Sequence, residues 1–160
     1  MTATHHGTTP FHIRRATPAD RECLVDIWWR SASATHTFLS VSQLEALLPD
    51  VQALHLELLD TWVLCAESSD AVGFLVLDMS AVDALFIAPE WLRRGGGKLL
   101  MRKARELAGP LRVDVNEQNA NAIQFYLAEG FVIVGRSPVD DAGRPYPLLH
   151  LEEPSSAWPS

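Results

Sequence analysis

Cysteine, basic charge and long apolar runs are all scarce in this 160-residue chain, and each shortage closes off a class of function. Two cysteines without a spaced His/Cys cluster give no structural zinc site. Cys23 and Cys65 stand in the apolar stretches CLVDIWW and WVLCA. Both read as buried, unpaired thiols of a reducing compartment rather than a disulfide or a nucleophile. Lys and Arg number 13 against 20 Asp and Glu, a formal charge of −7. Neutralising nucleic-acid phosphates needs clustered basic residues, so no nucleic-acid partner is expected. A negative surface instead favours a cationic or small neutral substrate. No apolar run approaches the roughly 20 residues that cross a bilayer, so no membrane partner is expected. The first ten residues, MTATHHGTTP, lack the positive start and apolar stretch of a secretory signal and read as a polar tail. The expected location is the cytoplasm.

What is present suffices for one core, since 48% of the residues are hydrophobic, an ordinary share for a globular domain. With no repeat and no linker, a single domain is expected over 11–153, between tails 1–10 and 154–160. Phe11, Ile13 and Ala16 predict a first strand. Thr17 then suits a helix cap, Pro18 the first turn and Asp20 its positive end. Leu24, Ile27 and Trp28 give that helix an apolar face through about Ala32. A polar turn with Thr35, His36 and Thr37 leads into a second helical region at about 41–59, predicted to break at Pro49. The period then shortens to that of strands at 62–66, 72–77 and 82–88. Three glycines precede a helix carrying Leu99, Leu100, Ala104 and Leu107, which Gly109-Pro110 stops. A strand at 111–115, a helix at 119–129 ended by Gly130, and strands at 131–135 and 148–151 complete a mixed α/β sheet of about seven strands with four helices.

Two places carry chemistry. The first is FIAPEWLRRGGGKLL, residues 86–100. Glycines let several backbone N–H groups turn toward one point, and a helix start adds unsatisfied N–H groups and a positive dipole end. Such a loop holds a phosphate or pyrophosphate, with Arg93, Arg94 and Lys98 adding charge; the alternative is a flexible basic loop. A P-loop is excluded because Lys98 is followed by Leu99 rather than Ser or Thr. A dinucleotide fingerprint is excluded because Leu100 stands where its third glycine belongs.

The second is NEQNANAIQFYLAEGF, residues 116–131. Ala122, Phe125 and Tyr126 share one helix face, Asn119 suits the N-cap, and Gly130 ends the helix before Phe131. Taken alone, Tyr126 reads as a core tyrosine with its hydroxyl bonded to a neighbour. Together the two segments resemble the GNAT superfamily of N-acetyltransferases. There a strand leads into [Gln/Arg]-x-x-Gly-x-[Gly/Ala], and a later helix is written Asn-x-x-Ala-x-x-x-Tyr-x-x-x-Gly-Phe. Asn119, Ala122, Tyr126, Gly130 and Phe131 match the second motif throughout. Gly95 and Gly97 match the first, while Leu92 occupies the Gln/Arg position and Arg93 stands where Gly is common. The segments WRSASATHTFLS, DALFIAP, DVNEQN and VDDAGRPYPLLHL resemble the YjaB-type bacterial branch of this superfamily.

The resemblance implies an acetyltransferase fold, acetyl-CoA as cosubstrate without a metal, and direct transfer to a primary amine through a ternary complex. It further implies that backbone N–H groups of Leu85, Phe86 and Ile87 meet the acetyl carbonyl and pantetheine. Arg93, Arg94, Gly95, Gly96, Gly97 and Lys98 would hold the pyrophosphate, Asn119 and Ala122 would flank the coenzyme arm, and Tyr126 would protonate the departing thiolate. Such transfer also needs the amine neutral and the oxyanion stabilised. Asp83 is expected on the strand face of Leu85 and Ile87 as the candidate base. Glu117, just past a strand end, is a second candidate facing the same cleft. His36, with Trp28, Phe38 and Tyr146, is expected around the acceptor. The acceptor itself is left open among a small metabolite, an antibiotic-like compound, a polyamine and a protein amine. The resemblance allows a monomer or a homodimer paired through the last strands. A coenzyme-binding sensor without turnover is the competing reading.

Overall fold

The two-residue alternation of the middle of the chain builds the sheet. A computed structural model of the protein describes residues 11–35, 40–52 and 60–154. Its strands are β1 (Phe11–Arg15), β2 (Asp60–Ala66), β3 (Ala71–Asp78), β4 (Ala81–Ile87), β5 (Arg112–Asn116), β6 (Val132–Ser137) and β7 (Leu148–Glu152). Among the described residues these seven make one sheet in the order β1-β2-β3-β4-β5-β7-β6. Neighbours run antiparallel except β4 and β5, which are parallel.

Successive strand residues face opposite sides, and the helices divide accordingly. On one side α1 (Arg21–Thr35) and α2 (Val41–Gln52) bring Leu24, Ile27, Trp28 and Leu44 against Val63, Cys65, Phe74 and Val76. On the other, α3 (Gly96–Ala108) and α4 (Ala120–Ala128) contribute Leu100, Met101, Ala104 and Tyr126 to a core with Leu64, Leu75, Leu77, Val113 and Leu151. Each fully buried Leu or Met of these layers contributes about 1.5–3 kcal/mol. Arg105 fastens the second layer, reaching Glu153 at 2.6 Å and Glu129 at 3.1 Å. Ahead of α1, the Asp20 carboxylate accepts from the Thr17 N–H at 2.8 Å and from both Arg14 terminal nitrogens.

The expected architecture of seven strands and four helices is the one observed, with two local corrections. Helix α2 continues through Pro49 to Gln52 instead of breaking there. The fixed φ of proline is itself helical, and near a helix end only the local hydrogen bond is lost. Residues 53–59 of that expected helical region lie outside the described residues. Cys65 is buried as expected, but Cys23 is exposed, and partial desolvation with Asp26 and Asp20 nearby pushes its thiol up, keeping it protonated.

Two irregularities position the chemistry. Strand β4 pairs with β5 only at Ala81↔Arg112 and Val82↔Val113, while its pairing with β3 continues to Ile87↔Gly73. β5 meanwhile stays with β7 as far as Asn116↔Leu148. The sheet therefore forks above Val82. At the fork the β3–β4 register shifts from Val76↔Ala84 to Leu77↔Val82, which leaves Asp83 as the extra residue of a bulge.

Candidate active site

The open side of the fork has free backbone donors. The Ala88 N–H donates to Val72 O at 2.8 Å. By the alternation of an antiparallel ladder, the amides of Phe86 and Ala84 also point into β3, and those of Leu85 and Ile87 point the other way, into the fork. β4 then runs through the turn Pro89–Trp91 into the glycine loop. Arg30 of α1 grips this turn, bonding both Glu90 oxygens at 2.8 and 2.9 Å. Arg93 adopts φ +64° and Gly95 φ +89°. The position where relatives of this pattern favour glycine thus carries a left-handed arginine, a conformation costing about 1–2 kcal/mol for a side chain with Cβ.

Gly95 caps α3, and the first helical bond runs from the Leu99 N–H to Gly95 O at 3.2 Å. The amides of Gly96, Gly97 and Lys98 have no intrahelical acceptor and aim their N–H groups off the helix start. A Cβ on Gly96 would stand 2.5 Å from Leu64 Cδ2, and one on Gly97 3.2 Å from the Phe125 ring. The loop therefore lies flat on the core while its amides face out. They face a cleft of about 590 Å³ walled by Leu85, Phe86 and Ile87 on one side and by Asn119, Ala122, Phe125 and Tyr126 of α4 on the other. Asn119 caps α4, its Oδ1 accepting from the Ala122 N–H at 3.2 Å.

Tyr126 is 6% exposed, wedged edge-on between Phe125 and Phe131 at 5.1 and 5.3 Å. Its hydroxyl has no hydrogen-bond partner among the described residues, yet the side chain lines the cleft. Burial pushes its pKa far above the usual phenol value, so at neutral pH it is held as a proton donor.

A second hollow, of about 480 Å³, opens at the base of the fork and is lined by Asp83, Arg112, Asp114, Asp140, Asp141 and Arg144. The bulge turns Asp83 out of line with Leu85 and Ile87 and into this hollow. Asp83 is exposed as a residue, but the surrounding walls partly desolvate its carboxyl. Desolvation first, then the charges of Asp78 and Asp141, raise its pKa above the ordinary carboxylate range.

Residues 59–133 match the acetyltransferase (GNAT) domain family. Over 146 residues the chain is 44% identical to the peptidyl-lysine N-acetyltransferase YjaB of Salmonella typhimurium, covering 89% of this chain and 98% of that one. This chain belongs to the GNAT acetyltransferase family. It is 30% identical over 134 residues to the peptidyl-lysine N-acetyltransferase YiaC of Escherichia coli, covering 83% of this chain and 91% of that one. The solution structure of apo YjaB from Escherichia coli superposes with a TM-score of 0.83 at 42% identity, covering 91% and 99%. The protein is thus an N-acetyltransferase that uses acetyl-CoA, and the reading as a coenzyme sensor without turnover falls away.

In this acetyltransferase the free amides, the basic loop and the unpartnered phenol fit the donor: they offer donors and positive charge, and no Cβ blocks the loop. Among the described residues no cluster of three His, Cys, Asp or Glu is placed to hold a metal, and no helix is long and apolar enough to cross a membrane. The structure brings together Leu85, Phe86, Ile87, Arg93, Gly95, Gly96, Gly97, Lys98, Asn119, Ala122 and Tyr126 around one cleft. Arg94 is turned aside, its guanidinium 4.8 Å from the Trp91 ring.

The other expected residues lie elsewhere. Asp83 lies in the second hollow, for the reason given. Glu117 does not line the cleft, because Arg136 holds its carboxylate at 2.6 and 3.1 Å. Trp28 is buried in the α1–α2 core, as a helical apolar position predicts. Tyr146 is half-buried and lines neither cavity, its N–H donating to Arg144 O at 2.7 Å. His36 and Phe38 lie outside the described residues.

The sequence reading missed Trp91, Asn121, Gln124 and Ser31, which also line the cleft. Asn121 and Gln124 stand one turn apart at the start of α4 and share a helix edge with each other, but their spacing from Asn119 puts them off the Ala122–Tyr126 face and gives no signal for the cleft. Ser31 comes from a distant helix and has none either.

Proposed function

We propose that this acetyltransferase modifies the side-chain amine of lysine in a protein or peptide, by direct transfer within a ternary complex. The observation that carries the proposal is the open β4 edge, set between the glycine loop and the Tyr126 hydroxyl on one side and the acidic hollow on the other. Two substrates have separate approaches to one junction. Lysine is favoured as the acceptor because the chain is acidic, the hollow beside the fork carries carboxylates, and two relatives are named for peptidyl-lysine.

Acetyl-CoA supplies an acetyl thioester. The amides of Gly96, Gly97 and Lys98, with the Arg93 and Lys98 side chains, hold its pyrophosphate. Of the Leu85 and Ile87 N–H groups, about 7 Å apart along the strand, one would donate to the acetyl carbonyl oxygen, where negative charge builds, and the other to the pantetheine arm; one such oxyanion donor is worth about 2.7–4 kcal/mol in comparable sites. Tyr126 holds a proton at its Oη for the departing sulfur. Asp83 accepts the amine proton through water at its carboxylate. Its raised pKa makes it a better base than an ordinary aspartate, provided it is ionised. The location we propose is the cytoplasm, because the described cysteines are both unpaired.

Initial-rate kinetics with acetyl-CoA and a short lysine peptide test this reading. Intersecting double-reciprocal lines and acetyl-lysine in the product are expected. Thiol release that is independent of peptide, or parallel lines, would overturn it.

A further inference from the structure

Asp114, His150 and Ser137 form a hydrogen-bonded chain across three adjacent strands. Asp114 Oδ1 lies 2.6 Å from His150 Nδ1, and His150 Nε2 lies 2.7 Å from Ser137 Oγ. Val113, Leu149 and Leu151 belong to the α3–α4 core, so Asp114 and His150 alternate to the opposite face. Asp114 is directly opposite His150 on β7, and Gly135 of β6 is opposite it on the other side. A Cβ at Gly135 would meet the ring at 3.4 Å, so the glycine leaves room for the imidazole. An ionised carboxylate only accepts, so in the neutral ring Nδ1 carries the proton and Nε2 accepts from the Ser137 hydroxyl. The chain fixes one thing above all: the direction of the Asp114 carboxylate.

That carboxylate lines the hollow beside Asp83, level with it because Val82 pairs with Val113. Arg144 already answers Asp140 at 2.8 Å, while Asp83, Asp114 and Asp141 line the same hollow with Arg112. The open amides of Leu85 and Ile87 stand two and four residues further along β4, about 7–13 Å away at the rise of a strand. An extended peptide spans that distance in two to four residues.

We propose that Asp114, oriented by His150 and Ser137, is a specificity residue that receives a second basic side chain of the acceptor, two to four positions from the lysine being acetylated. This rests on the peptidyl-lysine reading. His150 positions the site: its Nδ1–H holds the Asp114 carboxylate, and the Ser137 hydroxyl holds the ring. The charged groups around it are Arg112 on β5, Glu152 on β7, Asp83 on β4 and Asp140, Asp141 and Arg144 in the segment between β6 and β7.

The test compares two peptides, one with arginine three residues from its single lysine and one with alanine there. Wild type should favour the arginine peptide about fivefold in kcat/KM, mainly through KM, as expected for one partly exposed charge pair. Asp114→Asn should lose the preference; His150→Ala, which removes the donor to Asp114, should cut it to about twofold, and His150→Gln, whose side-chain amide can still donate, should restore it. An unchanged KM for acetyl-CoA in each variant reports an intact fold. Equal use of the peptides by wild type, or a preference that persists in Asp114→Asn, overturns the inference but leaves the lysine reading standing. A full preference retained in His150→Ala removes the positioning role of that ring. Acetylation of neither peptide overturns both.

Discussion

The two cavities that meet at the fork are made of different material. The cleft is built from backbone: amides at the start of α3, amides of an unpaired strand edge, and three glycines that keep Cβ atoms away. The side chain we propose as its acid, Tyr126, is buried and neutral. The hollow is built from side chains: carboxylates on β4, β5 and the segment after β6, oriented by partners such as His150. On the reading proposed above, the donor, an invariant cosubstrate, is held mainly by backbone amides, which most side-chain substitutions leave in place. The acceptor side is written in residues that substitution can readily retune.

That contrast yields four predictions. The largest effect belongs to Tyr126→Phe, expected to lower kcat about a hundredfold while the dissociation constant of acetyl-CoA, measured by calorimetry, moves less than threefold. Next come the two cavities' own parts. Asp83→Asn should lower kcat/KM for a lysine peptide about tenfold. In wild type the base is active only when ionised, and its raised pKa moves the acidic limb of the pH profile upward; the variant should lack that limb. A limb unchanged in the variant would assign the base elsewhere. Gly95→Ala, strained at φ +89°, should weaken acetyl-CoA binding about tenfold without changing the acceptor KM. The smallest effect is Arg93→Gly, which relieves a left-handed φ. It should raise Tm by about 2–4 °C for roughly 1 kcal/mol while weakening acetyl-CoA binding about fivefold through the lost guanidinium.

The same contrast explains what was legible in the sequence. The glycine loop and the helix of Asn119 to Gly130 are contiguous, so spacing put Ala122, Phe125 and Tyr126 on one helix face, and the family resemblance set them with Asn119 around the coenzyme. Strand and helix periods located every strand because each alternates or runs apolar between clear turn residues. The hollow is not contiguous. Asp83, Asp114 and His150 come from three strands, and their meeting depends on a sheet order that no local spacing encodes. The bulge at Asp83 was equally invisible, since strict alternation would have kept that residue on the face of Leu85 and Ile87. Glu117 misled for the same reason, because its partner Arg136 is 19 residues away across the sheet.

The central claim is that donor and acceptor use separate cavities joined at the open edge of β4. Amide hydrogen exchange with and without acetyl-CoA tests it most directly. Protection confined to Leu85, Ile87, Gly96, Gly97 and Lys98, with Arg144 and the strand amides around Asp114 unchanged, is the result this account predicts. Protection centred on the hollow, with the glycine-loop amides still exchanging freely, would contradict it.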